Sequence, residues 1–205
     1  MVYVKPTSRS LGIGVIRIEQ TDESDIYHAK WLKNKKDFKG FEQLYKWLQY
    51  RTKNQSFLIQ TGIHLLRWRN RPFDLRIMVQ KNAHNDWEMS GIICRIAHAK
   101  KIVTNIGQGG SIADINQIFS DSKVRLNITR NCERVAKEAT RTLASRLKKL
   151  RETGVDIALD QNYKPWILEI NTYPEAYIFR RLRDKTMYQN IVQQRLRMKF
   201  KKPYR

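Results

Sequence analysis

The alternation of apolar and polar residues along the chain predicts two β-hairpins and several further strands. A short strand at 2–4 and a β-branched strand ending at Ile18 flank a Ser/Gly-rich loop, which is typical of a hairpin. Residues 155–160 and 165–170 alternate around a turn and predict a second hairpin. A basic turn and further strands are predicted between the hairpins, the turn at 67–72 and the strands at 56–60, 73–80, 87–97 and 101–105.

Apolar residues spaced by three or four positions predict the helices. A surface helix is expected near 40–52 from the positions of Phe41, Leu44, Tyr45 and Leu48, while the rest of 19–55 is polar and charged. The clearest repeat runs to Arg151 and consists of Val135, Ala139, Leu143, Leu147 and Leu150. The chain from Ile178 onward is helical and basic. We therefore expect an α+β fold, an antiparallel sheet with its helices packed on one side.

Length and charge narrow the class of protein. The 205 residues fit one domain or two small lobes, and 41% of them are apolar, so the chain can bury a core. The formal net charge of +21 predicts attraction to an anion without choosing among nucleic acid, membrane and phosphorylated ligand. This charge is uneven, because residues 176–205, the basic tail, hold ten basic residues and one acid.

Secreted and membrane-spanning proteins do not fit the sequence. The first ten residues lack the apolar segment of a secretory signal, and no window approaches the roughly 18 apolar residues of a spanning helix. We therefore expect a cytoplasmic protein with no membrane span. Cys94 and Cys132 form no CxxC motif and have no zinc-site spacing to the histidines, so we expect both to be reduced and structural.

The second hairpin carries candidate metal ligands. Asp156 lies early on its first strand, and Glu169 and Asn171 are two residues apart on the second, so the latter two project from one face. Oxygen ligands from adjacent strands suit Mg²⁺, which takes one or two carboxylates and leaves its other positions to water and phosphates. Alternatively, the acids only mark the solvent face of the hairpin. The Asn-Thr-Tyr-Pro sequence at 171–174 favours the metal site, because it is an unusual choice for a plain exposed edge.

Two further groups of residues could bind an anion. Lys5 is a compact charge suited to a phosphate, and the loop from Ser8 to Gly14 offers backbone N–H groups that could close over one. The glycines of that loop also fit a plain tight turn. The second group lies at alternating positions on neighbouring strands and either binds phosphate and ribose or forms structural ion pairs: Asp74, Arg76, Arg95 and Asn105.

The order of these segments is more specific than any one of them. It runs from Lys-Pro and the Ser/Gly loop through Phe-Leu-Ile-Gln, Phe-Asp-Leu-Arg, Arg-Ile-Ala and Thr-Asn-Ile-Gly-Gln-Gly-Gly to Gly-Val-Asp and Leu-Glu-Ile-Asn-Thr-Tyr-Pro. This order resembles the ATP-grasp superfamily, and within it the endospore coat-associated YheC/YheD-like ATP-grasp proteins of spore-forming bacteria. The resemblance extends from Val2 to about Val192 and is strong at 73–76 and 154–174.

The resemblance implies an ATP-grasp fold with ATP and Mg²⁺ as cofactors. It divides the chain into a partial small lobe at 1–58, a larger lobe at 59–175 and the basic tail at 176–205. Three residues match the family's magnesium ligands, and the separation of 13 between the two acids agrees with its usual hairpin: Asp156, Glu169 and Asn171. The implied nucleotide-binding residues are Lys5, Ser8, Ser10, Gly12, Gly14, Leu58, Ile59, Gln60, Ile63, Asp74 and Asn105. Those at 58–63 match the strand that reads the adenine edge.

The same resemblance implies ATP-dependent ligation. A carboxylate substrate would attack the γ-phosphate, and an amine or thiol acceptor would capture the acyl-phosphate. Arg76 and Arg95 match positions that face the phosphates and the acyl substrate, so they are the implied catalytic residues. The family's N-terminal substrate domain and the first half of its small lobe have no counterpart in these residues. We therefore expect the chain to be a fragment, a degenerate copy or a polypeptide completed by another chain.

Two other functions remain open from the sequence. A basic nucleic-acid-binding module would use the +21 charge, with Trp68 between Arg67 and Arg69 and aromatic residues among the arginines of the tail. The sequence has no RRM, KH, zinc-finger or helix-turn-helix signature to support such a module. The third possibility is a structural spore-coat component whose nucleotide site is a relic.

Overall fold

The opening hairpin lies at the centre of an antiparallel sheet, as predicted. The computed structural model describes residues 1–8, 13–21, 25–97 and 109–198. The sheet has the strand order β4-β3-β2-β1-β5, and helix α1 lies between β4 and β5 in the chain. Its elements are β1 (Val2–Pro6), β2 (Ile16–Gln20), β3 (Ile26–Trp31), β4 (Asn34–Lys39), α1 (Phe41–Thr52) and β5 (Phe57–Thr61).

Helix α1 packs on one face of this first sheet. Alternate side chains of each strand point to that face and form the buried core together with Leu44 of the helix. This core consists of Val4, Ile16, Ile18, Ala29, Phe38 and Leu44. Strands β3 and β4 were not predicted: β4 exposes every residue except Phe38, and the apolar residues of β3 stand in a polar and charged stretch of the sequence.

A second antiparallel sheet has the strand order β11-β10-β7-β8-β9, with β6 paired to β7. Its elements are β6 (Arg67–Trp68), β7 (Arg71–Lys81), β8 (Trp87–Ile96), β9 (Ser111–Ala113), β10 (Glu152–Leu159) and β11 (Pro165–Asn171). Arg69 and Asn70, with φ of 49° and 61°, form the two-residue turn between β6 and β7. The predicted strand at 101–105 lies outside the described residues.

The side chains of β7 alternate between two buried faces of the second sheet. Phe73, Leu75, Ile77 and Val79 point to what we call the apolar face. This face packs against the helices α2 (Ile115–Ile118) and α3 (Ser122–Arg146). The intervening residues, Asp74, Arg76, Met78 and Gln80, point to the other side, which we call the polar face.

Helix α3 differs in extent from its prediction. It begins at Ser122, where the Asp121 carboxylate accepts hydrogen bonds from two backbone N–H groups, and it ends at Arg146 instead of Arg151. Its buried stripe is Ile128, Cys132, Ala136 and Thr140. The predicted repeat follows the flank of this stripe, where Val135, Ala139 and Leu143 are half-buried.

The basic tail supplies a second helical layer. Helices α4 (Tyr177–Arg180) and α5 (Thr186–Arg197) pack on the polar face, where Phe179, Leu182 and Ile191 contact Met78 and Ile93. Helices therefore cover both faces of the second sheet, and the expectation that they pack on one side only is corrected. The α+β class with antiparallel sheets is confirmed.

The two sheets belong to separate units. One unit is Met1–His64 with Ala97–Gly110, and the other is Leu65–Ile96 with Ser111–Arg205. The division at 58 and 175 stays a prediction. Cys94 and Cys132 are free and buried on the apolar face. Within the described residues, no helix combines the length and the apolar character that crossing a membrane requires.

Candidate functional site

The polar face of the second sheet brings together charged residues from three strands. Asp74 is the cross-strand partner of Arg95 on β8, and Arg76 is the partner of Asp156 on β10. Directly opposed residues of an antiparallel ladder share a face, so all four side chains meet there. We call them the Asp–Arg cluster. Each of the four is at most 9% exposed.

The Asp–Arg cluster alternates two carboxylates with two guanidinium groups. Arg95 Nε and Nη2 each donate to Asp74 at 2.7 Å, and Nη2 also lies 2.7 Å from Asp156 Oδ2. Arg76 Nε donates to Asp156 Oδ1, and its Nη2 donates to Oδ2 at 3.1 Å. The charges balance, which is the condition under which buried ions persist.

Arg95 stays cationic in this environment. Burial by itself lowers the pKa of Arg95, but the carboxylates of Asp74 and Asp156 outweigh it, and together with their hydrogen bonds they raise the pKa above its ordinary value. Of the bonds to Asp156, one reaches Oδ1 and two reach Oδ2. A carboxylate oxygen has two acceptor directions, so Oδ1 keeps one for a further partner.

The second hairpin extends this face to the edge of the sheet. Glu169 is the cross-strand partner of Asp156, and Asn171 is the partner of Gly154. Glu169 and Asn171 therefore lie on the same side as the Asp–Arg cluster. A β-bulge at Leu168 ends this register, because the next pair is Ile157 with Ile167.

These three residues fit a magnesium ion. The Glu169 side chain is exposed, and no recorded hydrogen bond or ion pair joins it to another described residue. Asn171 Nδ2 donates to the Gly154 carbonyl at 3.4 Å, which leaves its Oδ1 as an acceptor. Together with Asp156 Oδ1, they would supply two carboxylates and an amide, the kind of oxygen ligands that Mg²⁺ accepts. Among the described residues, no three His, Cys, Asp or Glu side chains lie close enough together to hold a metal ion, so the amide would be needed as the third protein ligand.

The first unit places several of the predicted nucleotide-binding residues on one face of its own sheet. Lys5 on β1 and Leu58 on β5 are cross-strand partners, as are Tyr3 and Gln60, and these residues point away from α1. Lys5 Nζ donates to Gln60 Oε1. Ile59 lies on the edge strand and is 72% exposed.

The remaining predicted residues are less informative. Ser8 is exposed, and Ile63 is half-buried in the segment after β5. Gly14 has a φ of 81°, so the left-handed backbone explains a glycine at this position without a ligand. Ser10, Gly12 and Asn105 lie outside the described residues.

A second charged cluster on the polar face was not predicted from the sequence. Arg195 of α5 pairs with Glu152 of β10, with Nε to Oε2 at 2.8 Å and Nη2 to Oε1 at 2.7 Å. Gln80 Nε2 donates to Glu152 Oε2 at 2.9 Å. We call these three residues the Glu152 cluster. Alternation along β10 places Glu152 on the face of Asp156, but nothing in the basic tail distinguishes Arg195 from its other arginines.

The two antiparallel sheets, with carboxylates and an amide presented at the edge of the larger one, define the class of protein as an ATP-grasp domain. The C-terminal domain of K. lactis Pby1, described as an ATP-grasp enzyme interacting with the mRNA decapping enzyme Dcp2, matches this fold with a TM-score of 0.53. The match covers 100% of this chain and 59% of that chain. At 15% sequence identity it shows the fold alone.

The family within this class follows from the sequence match. The model of the YheC/D-like ATP-grasp family matches residues 1–199, and the chain belongs to that family. It is similar to the endospore coat-associated protein YheD of Bacillus subtilis (strain 168), with 27% identity over 182 residues, 87% of this chain and 40% of that protein. It is also similar to YheC of the same organism, with 24% identity over 175 residues, 83% of this chain and 48% of that protein. The chain thus spans less than half the length of these two relatives.

Proposed function

We propose that this chain binds ATP together with Mg²⁺ and forms the nucleotide-binding part of an ATP-dependent ligase. The observation that carries the proposal is the register of the second hairpin, which sets Glu169 directly opposite Asp156 and places Asn171 on the same face. Glu169 is exposed and has no partner among the described residues, so its carboxylate is available to a ligand.

Asp156, Glu169 and Asn171 would hold the magnesium ion through their side-chain oxygens. When bound, Mg²⁺ supplies positive charge next to phosphate oxygens that become more negative during phosphoryl transfer. Arg76 and Arg95 are the proposed cationic residues near the phosphates. Because both are already paired with Asp156, we assign them first to orienting that carboxylate and second to contact with the phosphates.

Nucleotide contacts are proposed separately for residues of the first unit. Lys5 is proposed to contact a phosphate, and its hydrogen bond to Gln60 holds the ammonium group on the face that α1 leaves uncovered. The backbone of 58–60 is proposed to read the adenine edge. The loop from Ser8 to Gly14 is proposed to close over the phosphates, and Asp74 and Asn105 are proposed to border the ribose and the acceptor.

The proposed reaction joins a carboxylate to an amine or a thiol. A carboxylate oxygen forms a bond to the γ-phosphorus while the bond to the bridging oxygen of ADP breaks, which gives ADP and an acyl-phosphate. The amine or thiol then bonds to the acyl carbon, loses its proton and displaces inorganic phosphate. The parts that select the carboxylate are proposed to lie outside these residues, in the same polypeptide or in a separate chain. A cytoplasmic setting, with coat association as in the relatives' descriptions, belongs to the same proposal.

A thermal-shift titration tests the proposal. ATP with Mg²⁺ should raise the unfolding midpoint, because a ligand that binds only the folded state stabilises it. The shift should shrink in Glu169→Gln, which keeps the shape of the side chain and removes its charge. Glu88→Gln is the matched control, since Glu88 is an exposed carboxylate of the same sheet on β8. Absence of a shift in the wild-type protein, or an equal shift in both variants, would refute the metal assignment.

A salt titration with single-stranded nucleic acid separates the alternative function. Binding through the basic surface alone would weaken steeply with salt and would be the same in Glu169→Gln and wild type. Nucleotide binding as proposed depends on Glu169 and requires Mg²⁺.

A further inference from the structure

Arg195 holds the chain segment that follows the proposed metal ligands. Arg195 Nη2 donates to the Pro174 carbonyl at 2.6 Å. Pro174 lies three residues after Asn171, in the connection from β11 to α4. A helix of the basic tail is thereby joined to the end of the hairpin on which Glu169 and Asn171 lie.

The guanidinium of Arg195 is itself fixed in place. It forms a two-point ion pair with Glu152, which is 1% exposed at the start of β10. Gln80 Nε2 donates both to this carboxylate, at 2.9 Å, and to the Ile191 carbonyl of α5, at 3.3 Å. Bidentate pairing restricts the orientation of a guanidinium more than a single contact does. The Nη2 group of Arg195, which donates to the Pro174 carbonyl, is therefore held in a single position.

The other side of the same segment rests on Gly154. A Cβ at Gly154 would lie 2.7 Å from Pro174 Cβ, so only glycine lets the segment approach β10 this closely. The Gly154 carbonyl also accepts the hydrogen bond from Asn171 Nδ2. The segment from Asn171 to Pro174 is thus held between the β10 backbone and Arg195.

We propose that Arg195 is a positioning residue of the magnesium site: by holding Pro174, it fixes the backbone of 171–174 and directs Asn171 Oδ1 toward the position shared with Glu169 and Asp156. This inference rests on the proposed function. It extends the site to the basic tail, where the family's ligand pattern has no counterpart. Arg195 does not touch the nucleotide; it acts through Pro174 and Asn171.

Arg195→Ala, Arg195→Lys and Arg197→Ala form the test set. Arg197 is the matched control, because it is an exposed arginine on the same helix with no recorded partner among the described residues. Arg195→Lys keeps the charge of the clamp but loses the planar fork, and it covers the case in which Arg195→Ala does not fold. Each folded variant is measured for backbone hydrogen exchange in 172–176 and for ATP affinity in Mg²⁺ and in EDTA.

We expect Arg195→Ala to speed exchange in 172–176, because this segment opens more readily once the hydrogen bond from Arg195 to the Pro174 carbonyl is lost. The gain in ATP affinity that Mg²⁺ provides should fall about 10- to 100-fold, as for other residues that orient metal ligands. Affinity in EDTA should not change. Arg195→Lys should lie between wild type and Arg195→Ala, and Arg197→Ala should match wild type in both measurements.

The possible failures are distinguishable. A wild-type protein without Mg²⁺-dependent ATP binding refutes the proposed function and this positioning role with it. Normal Mg²⁺-dependent binding in Arg195→Ala leaves the proposed function standing and overturns the inference, whether or not exchange in 172–176 is faster. Equal losses in Arg195→Ala and Arg197→Ala also overturn it, because tail charge and not the clamp would then be responsible.

Discussion

The two faces of the second sheet are built by alternate residues of the same strand and are stabilised in different ways. On the apolar face, Phe73, Leu75, Ile77 and Val79 pack against α3. On the polar face, the side chains between them carry the Asp–Arg cluster and the Glu152 cluster, whose members are also buried except Arg195, with a side chain 18% exposed. Apolar burial stabilises wherever shape fits, whereas buried charges stabilise only while every partner is present.

The difference between the faces has a physical meaning. Replacing buried ion pairs with apolar residues of similar size is often neutral or stabilising, so charges on a buried face are weak evidence for stability. Met78 and Ile93 show that apolar residues are accepted elsewhere on this face. The charged residues instead serve to position other groups. The Asp–Arg cluster fixes Asp156 beside Glu169, and the Glu152 cluster fixes the segment after Asn171.

The largest effect is expected from Arg95→Met on the polar face. The change removes the guanidinium that bridges Asp74 and Asp156, both at most 4% exposed, and it should cost about 3 to 5 kcal/mol of unfolding free energy. Urea denaturation measures it. Arg134→Met, in the exposed pair with Glu138 on α3, is the control and should cost far less. Equal losses would show that the cluster does not depend on charge pairing.

The Glu152 cluster should respond asymmetrically. Arg195→Met leaves Glu152 as a buried charge without its cation and should cost about 3 kcal/mol. Glu152→Met leaves Arg195, whose side chain is 18% exposed and can reach water, so a loss of about 1 to 2 kcal/mol is expected. Denaturation of both variants measures the two losses of unfolding free energy. A larger loss in Glu152→Met than in Arg195→Met would contradict the expected asymmetry.

Gly91→Ala should perturb the polar face without touching a charge. A Cβ at this position would lie 2.8 Å from Phe179 Cε1 and 3.2 Å from Ile191 Cδ1, so α4 and α5 would have to shift. Overpacking of this kind costs about 1 to 3 kcal/mol. Limited proteolysis of the tail, together with denaturation, measures it. An unchanged rate of tail cleavage would mean that the charge pairs alone hold these helices.

The expected effect on the apolar face is absent at neutral pH and appears only in alkali. Burial raises the pKa of Cys132 from its ordinary value near 9 to about 12. The folded protein therefore keeps a proton that the unfolded chain releases, so this stability is full below pH 9 and is lost between pH 9 and 12. The slope is about 1.4 kcal/mol per pH unit for one thiol. Denaturation from pH 8 to 10.5 should show a shallower decline in Cys132→Ala, and an identical slope would refute the assignment.

Sequence reasoning predicted the long strands β7, β8, β10 and β11, helped by the alternation along β7 and β10, but it missed the short strands β6 and β9. The same alternation predicted that Asp74, Arg76 and Arg95 share a face, and the structure pairs them as ions, which was one of the two alternatives. The opposition of Asp156 and Glu169 could not be read from their spacing alone, since it depends on the bulge at Leu168.

The parts that sequence reasoning missed depend on contacts between distant segments. Strand β4 lies at the edge of the first sheet and exposes every residue except Phe38, and β3 beside it fully buries only Ala29, so neither strand shows a strong apolar pattern. The basic tail showed helical spacing, but its buried face depends on Gly91 and Met78 far earlier in the chain. The net charge of +21 does not reveal that Arg195, one of the ten basic residues of the tail, forms a partly buried ion pair.

The pairing of Glu152 with Arg195 also sets an order of events during synthesis. The two residues are 43 positions apart, so Glu152 is made long before its partner. At a synthesis rate of about 5 to 20 residues per second, the carboxylate waits about 2 to 9 s for the guanidinium. Until then Glu152 has no cation beside it, so this carboxylate can be buried with its charge compensated only after α5 has been made.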